Sequence, residues 1–372
     1  MKFTCEKTDL AAAWGAVSRT VASKAKIDAL EGVLCTVGET SIRLTGYNLE
    51  TAISYEMEGD IKEEGSCILP TRIFGEIIRK MPESAMTVTV DKDYKVSIRS
   101  GRASFSIKAA SPEDYPSLPE ISEAQVISLP QRELKKMISG TLFSISDNIS
   151  RLIQTGVRFE VADSTICAIS SDGYRLSLRR YHWDAPTGQT MAFVVPGKSL
   201  KELERILQDS SASVSLQLSS KHILFRLGAA TLICRLLDGR FLPWEKVIPT
   251  NHPIAITASV QDLNAAIGRV GLMTLGDSIK VPIRCTFSDQ QLLLNMRSSA
   301  GTAEDFCNIS GNGNETLIGI NSRYLMEAIQ AVPDDTVQVH IKDSVSAITF
   351  TPADGSDDYV YMVLPVHLAK ES

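Results

Sequence analysis

The residues in this chain whose types could do chemistry are scattered along it. The five histidines (His182, His222, His252, His340, His367) form no H-E-x-x-H pattern and share no C-x-x-C neighbour, so a metal site is not expected. Gly197-Lys198-Ser199 resembles the end of a phosphate-binding loop, but that loop needs Gly at 192, where Ala192 stands. Gly311-Asn312-Gly313-Asn314 reads as a turn, and Asp172-Gly173 and Asp238-Gly239 read as hairpin turns between strand-like runs. No G-x-S-x-G occurs, and a hydrolase built on Asp172 and a nearby His has no motif behind it. No nucleophile, base and orienting group converge, so no catalysis and no cofactor are expected.

The seven cysteines (Cys5, Cys35, Cys67, Cys167, Cys234, Cys285, Cys307) are odd in number and sit among apolar or β-branched neighbours. They read as small buried hydrophobes in a reducing compartment. The start Met1-Lys2-Phe3-Thr4-Cys5-Glu6-Lys7 has no apolar stretch typical of an export signal, and no apolar run reaches the ~18 residues of a membrane span. A cytoplasmic protein with no membrane partner is expected.

The chemistry left is binding, and repeated helices must position it. Met1–Thr4, Val126–Leu129 and Ile254–Thr257 each read as a strand running into an amphipathic helix. Leu10, Leu134 and Leu263 align across those helices, 124 and 129 residues apart. A second set agrees: Pro70-Thr71-Arg72, Pro196-Gly197-Lys198 and Asn321-Ser322-Arg323 each open a helix, 126 and 125 residues apart. The spacing predicts helices over 9–20, 71–81, 131–141, 197–207, 260–270 and 321–331. Stretches such as 95–101, 222–228 and 347–350 alternate with period two and read as antiparallel strands. The Pro-rich segments 112–119 and 248–253 fall where the period puts boundaries. The expected fold is α+β: three repeated domains, 1–120, 121–250 and 251–372, each with two helices packed on antiparallel sheets.

Net charge is -6, from 38 Lys and Arg against 44 Asp and Glu, which taken as a total argues against a nucleic-acid binder. The total conceals segregation. The six helices carry 12 basic and 7 acidic residues, a net +5, leaving -11 elsewhere. Their apolar stripes face the sheets, so Arg72, Arg79, Lys80, Lys135, Lys136, Lys198 and Lys201 face outward. Such a surface attracts phosphate backbones without reading bases; solvated helix faces are the alternative. The apolar run Tyr359–Leu368 contains Pro365, which points to an extended edge or tail. It is either a last core strand with a frayed end or one wall of a peptide-binding groove.

These features occur together with Ser170-Ser171-Asp172-Gly173-Tyr174-Arg175-Leu176, Leu237-Asp238-Gly239-Arg240-Phe241 and Met362-Val363-Leu364-Pro365-Val366-His367-Leu368. Arg99-Ser100-Gly101-Arg102 and Asp114-Tyr115-Pro116-Ser117-Leu118 complete the set. From Met1 to Leu368 the chain resembles the beta subunits of bacterial DNA polymerase III, the sliding clamps. The resemblance implies a DNA clamp fold closed as a head-to-tail homodimeric ring, with helices lining the hole. It implies a non-catalytic processivity factor that encircles double-stranded DNA. Implied partners are a replicative polymerase alpha subunit, a clamp loader, and other polymerases and repair proteins that dock through short linear peptides.

Carried onto this sequence, the peptide groove maps to Gln154, Ser171, Gly173, Tyr174, Arg175, Leu176, Leu242, Lys246, Val247, Asn321, Tyr324, Val345, Ala347, Met362, Val363, Leu364, Pro365, Val366 and His367. DNA contacts map to Lys24, Arg72, Asn148, Arg151, Leu152, Ile153 and Lys198, and ring closure to Phe105 against Leu272 and Met273. The chain departs from the family at Gln154, at Ala347, in Leu242-Pro243-Trp244, and at Leu152 and Ile153, which stand at aromatic positions. The tail Ala369–Ser372 extends past the usual end and is expected to shield the groove in part. A multidomain peptide-binding scaffold that does not encircle DNA is the competing reading.

Overall fold

Alternation and helical periodicity build each repeat in the same order. The structure, a computed structural model, describes residues 1–22, 24–82, 85–121, 125–274 and 281–368. The tail 369–372 lies outside them. Six helices form: α1 (Lys7–Val17), α2 (Thr71–Lys80), α3 (Gln131–Leu142), α4 (Gly197–Ile206), α5 (Val260–Gly271) and α6 (Ser322–Gln330). All six fall within a few residues of the expected positions. Phe74, Ile77 and Ile78 of α2 are buried, as the i, i+3, i+4 spacing demands. Ser259 caps α5 and Asn321 caps α6 through their side-chain oxygens. No helix among the described residues is long and apolar enough to cross a membrane.

The chain forms two compact units, Met1–Lys135 with Lys198–Leu236, and Lys136–Gly197 with Leu237–Ser372. The middle repeat is therefore shared between them, and the sheets give the reason. In the first unit, the strand Ala230–Arg235 of the middle repeat pairs antiparallel with Thr51–Met57 of the first, making one eight-stranded sheet. In the second unit, Tyr359–Val363 of the last repeat pairs with Arg175–His182 of the middle one, within a ten-stranded sheet. Backbone hydrogen bonds thus cross both repeat junctions, and contacts follow the hydrogen bonds. A five-stranded sheet in the first unit ends on Ala103–Lys108.

Four sequence expectations change. Tyr359–Val363 is an internal strand with Tyr359 and Tyr361 fully buried, and only the residues after it leave the sheet, where Pro365 has no N–H to donate. Asp238-Gly239 is not a hairpin, because no strand follows it; the chain runs on to a 3₁₀ turn at Trp244–Lys246. Gly311–Asn314 lies inside the long strand Gly301–Asn321, whose register shifts opposite Phe287–Gln291 while Gly311 and Asn314 take left-handed backbone. The histidines are not all isolated: the His252 and His340 rings lie 5.2 Å apart, and His182 Nε2 sits 2.9 Å from Asp357 Oδ1 with Asp358 beside it. All seven cysteines are free, and six are buried.

Candidate functional site

The hairpin Ser171–Arg175 sorts two neighbouring side chains to opposite fates. Asp172 Oδ1 accepts from Tyr174 N at 2.8 Å and from Arg175 N at 3.1 Å. Ser171 Oγ donates to Arg175 O at 2.7 Å. Gly173 has φ +92°, a backbone region that side chains avoid, so glycine suits the turn. Tyr174 is left 61% exposed, while Arg175 is buried. The Arg175 guanidinium binds Asp172 Oδ2 at 3.1 Å, pairs with Glu327 of α6, and lies 4.3 Å from the centre of the Tyr324 ring. Asn321 holds Tyr324 in place by accepting from the Arg323 and Tyr324 amides. Tyr174 and Tyr324 then stack, with centroids 6.4 Å apart.

Beside this polar corner lies an apolar floor. Ile169, Leu176, Leu178, Phe241, Ala347 and Met362 form one buried cluster, flanked by Ile153, Leu242, Trp244 and Ile248. Leu176 and Met362 face each other across the repeat junction. The chain end makes a third side: Leu364 N donates to Tyr174 O at 2.9 Å and Val366 N to Gly319 O at 2.7 Å. Gly319 suits this position, because a Cβ there would come 2.8 Å from the Val366 carbonyl. Pro365, Val366, His367 and Val345 continue into an open cleft of about 790 Å³. Val345 stands 77% exposed on a turn held by Asp343, whose carboxyl stays below the usual range because Ser346 and the Val345 amide hydrogen-bond to it. Val247 and Lys246 are exposed at the rim. This combination, a greasy slot with a few oriented polar groups, suits an extended peptide with large apolar anchors.

The structure thus gathers nearly all the residues assigned to the groove, from strands far apart in sequence. Val363 is the exception. Strand alternation turns its side chain into the core of the last repeat, so only its backbone borders the groove. Gln154 lies beside Ile153, and its side-chain carbonyl is buried with no hydrogen-bond partner among the described residues. Sequence reading missed Ile169, Leu178, Phe241 and Trp244 in the floor, and Glu327 as the anchor of Arg175. The signal for the floor was partial: Ile169 and Leu178 stand in strand-like runs, but 175–182 carries Arg175, Ser177 and Arg179 on its other face, so its sequence does not mark a sheet covered on both sides.

Counted on their observed bounds, the six helices still carry 12 basic and 7 acidic residues. Arg72, Lys80, Lys198 and Lys201 are exposed. Arg79 pairs with Glu76 one turn away, and Lys135 Nζ donates to the Leu207 carbonyl at 3.0 Å, so neither presents a bare charge. Surface pairs of this kind contribute ~0–1 kcal/mol, so phosphate oxygens displace them readily. Lys136 and Lys24 are exposed as well. In the 3₁₀ segment Ile149–Thr155, capped by Asn148, Arg151 and Leu152 point outward, but Ile153 turns inward onto the groove floor. Ile153, expected among the DNA contacts, thus has its side chain packed against the apolar cluster of Ile169, Leu178 and Met362.

Phe105 lies 40% exposed on Ala103–Lys108, the free edge of its sheet. Leu272 is 54% exposed, and the Met273 sulfur lies 3.8 Å from where a Cβ on Gly301 would sit. Met273 therefore flanks the start of Gly301–Asn321.

Family models of the DNA polymerase III beta subunit match the chain end to end: the N-terminal domain over residues 1–119, the central domain over 128–243 and the C-terminal domain over 245–367. The chain is similar to the beta sliding clamp of Bacillus subtilis, 28% identical over 377 residues that cover 98% of this chain and 99% of the relative. Among solved structures it resembles a putative DNA polymerase III beta subunit from Eubacterium rectale (TM-score 0.92, 27% identity, 99% and 100% of the two chains covered). It also resembles a Pseudomonas aeruginosa sliding clamp bound to griselimycin (TM-score 0.93, 26% identity, the same coverage). With the repeats, the shared sheets and the full-length matches in agreement, the chain belongs to the DNA polymerase III beta subunit family, the sliding clamps.

Proposed function

We propose that this protein is a sliding clamp, a non-catalytic ring around duplex DNA that tethers a replicative polymerase. The observation that carries the ring is the repetition of the sheets. At both internal junctions a strand of one repeat completes the sheet of the next. Applied once more, the same rule singles out two of the free edges, those equivalent to the strands joined at the internal junctions. One is Ala103–Lys108 of the first repeat; the other is the stretch opening Gly301–Asn321, which pairs on one side with 291–298. Joined between two copies, these edges close a head-to-tail homodimer, with Phe105 meeting Leu272 and Met273 of the partner subunit. Lys108, with Arg102 in the turn before the strand, faces Glu304 and Asp305 in this pairing, Asp305 being shared with Arg269 of its own chain.

The basic helix surfaces then line the hole. Lys24, Arg72, Arg79, Lys80, Lys135, Lys136, Asn148, Arg151, Lys198 and Lys201 supply weak, sequence-independent contacts to phosphates. Tight contacts would impede sliding; closure around the duplex holds the protein in place instead. The groove from Gln154 to His367 takes linear peptides of the polymerase alpha subunit, the clamp loader, and other polymerases and repair proteins. We take the repeats as domains 1–120, 121–250 and 251–372, and the cytoplasm as the compartment.

The test is topological. Loaded onto nicked circular DNA, the protein should stay bound through gel filtration and be lost when the circle is linearised. Retention that does not depend on linearisation would overturn encirclement and leave a peptide-binding scaffold.

A further inference from the structure

The first junction repeats the construction of the groove with a different floor. There too an inter-repeat segment crosses a continuous sheet: Ala110 bridges Ile68, as Leu237 N bonds Val194 O in the second unit. The strand registers match position for position. Where Ile169, Leu178 and Val360 stand side by side across the second junction, Thr45, Ser54 and Thr231 stand across the first. Three apolar groups are thus replaced by three hydroxyls, and the row continues to Arg226, opposite Thr231. Tyr115 roofs the row, its hydroxyl donating to Thr45 O at 3.2 Å. A cleft of about 550 Å³ remains between roof and floor.

The groups around this cleft are mostly hydrogen-bond donors. Thr45 and Ser54 share one hydrogen bond at 3.0 Å, which leaves a hydroxyl proton to spare. Glu56, the carboxylate at the rim, is bound by Arg43. Arg226 is exposed and has no acidic partner among the described residues. Leu34, Pro112, Pro116 and Leu118 supply apolar wall, but the row facing Tyr115 is of hydroxyls where the groove has Ile169, Leu178 and Val360. Nor does the cleft face the helix layer: Gly46, on the other side of the same strand, lies against α1, where a Cβ would come 2.0 Å from the Val17 carbonyl.

We infer that this cleft is a second ligand site, selective for a phosphate-class oxyanion held by Arg226 and the Thr45–Ser54–Thr231 hydroxyl row. A guanidinium beside several hydroxyl donors matches the oxygens of phosphate. The site shares no residue with the peptide groove and lies on the sheet face opposite α1. The phosphate could come free or on a modified protein side chain, and the chemistry of recognition is the same.

The full-length protein tests this by 31P line broadening of inorganic phosphate at fixed ionic strength, and by calorimetry with a phosphoserine in a Gly-Ser peptide. Wild type should show saturable binding. Arg226→Met should weaken it at least tenfold, and Thr231→Val several-fold, while Lys198→Glu on α4 should leave it unchanged. Arg226 is exposed, so its variant should fold, and near-ultraviolet circular dichroism checks Thr231→Val. Tighter binding of the peptide would assign a protein-borne phosphate, and equal affinity a free one. Absence of saturable binding to either probe, binding that survives Arg226→Met, or binding lost only in Lys198→Glu would overturn the site.

Discussion

The Arg175 guanidinium lies 4.3 Å from the centre of the Tyr324 ring and is paired on its far end with Glu327. One cation thereby locks a hairpin of the middle repeat to a helix of the last. Cation–π attraction is worth ~2 kcal/mol when desolvated, and the charge-assisted bonds add to it. Arg175→Met should lower stability by about 2 kcal/mol, read from chemical denaturation. It should also weaken binding of a polymerase-derived peptide at least tenfold. Unchanged peptide affinity would show that the corner is structural only.

The chain end offers a cleaner separation of groove from fold. Met362 and Val363 are buried strand residues, so a truncation starting there removes part of the ten-stranded sheet. A truncation starting at Leu364 spares the sheet and removes the bonds to Tyr174 and Gly319. It should abolish peptide binding with the dimer and the melting temperature nearly unchanged. A full-affinity truncated protein would exclude the segment from the groove.

Ring closure is tested at the two strand edges. Phe105→Asp or Leu272→Asp places an unpaired charge in the proposed interface, where desolvation penalises it by several kcal/mol. Mass photometry should show wild type at twice the mass of one chain and either variant at single mass. Since both residues are exposed in one chain, the monomers should remain folded.

Charge reversal on α4 addresses DNA. In Lys198→Glu/Lys201→Glu, loading on circular DNA should fall, and the salt dependence of binding should flatten, since fewer counterions are released. Peptide affinity should hold, because neither residue touches the groove. A salt slope identical to wild type would remove these lysines from the DNA surface.

The buried thiols make stability fall at high pH. Burial pushes Cys5, Cys67 and Cys234 up to about 12 from an ordinary value of 9.0. Between those values the unfolded chain has lost the proton that the folded chain keeps. Stability is therefore intact below pH 9 and declines toward pH 12, by up to about 1.4 kcal/mol per unit for each thiol. Denaturation midpoints at pH 8, 9.5 and 10.5 measure this, and Cys234→Ala should reduce the slope. At neutral pH a thiol reagent should reach partly buried Cys167 before any of the other six, which are buried.

What the sequence determined by itself was local and periodic. Two independent sets of helix starts revealed the triplication, and apolar spacing placed α1 to α6, because a helix reports its buried face through residues three and four apart. Net charge resolved into basic helices and an acidic remainder from composition within those spans. Most groove positions were named by family likeness, not by local pattern. Only the tertiary structure decided that sheets run across the repeat boundaries, since strand pairing joins segments such as Arg175–Arg179 and Tyr359–Val363 that are remote in the chain. The same pairing turned the Val363 side chain into the core, and set Thr45, Ser54 and Thr231 in one row where the neighbouring junction has Ile169, Leu178 and Val360. Register is a long-range property: a side chain's face is fixed by the strand beside it, and that neighbour is not written in the adjacent residues.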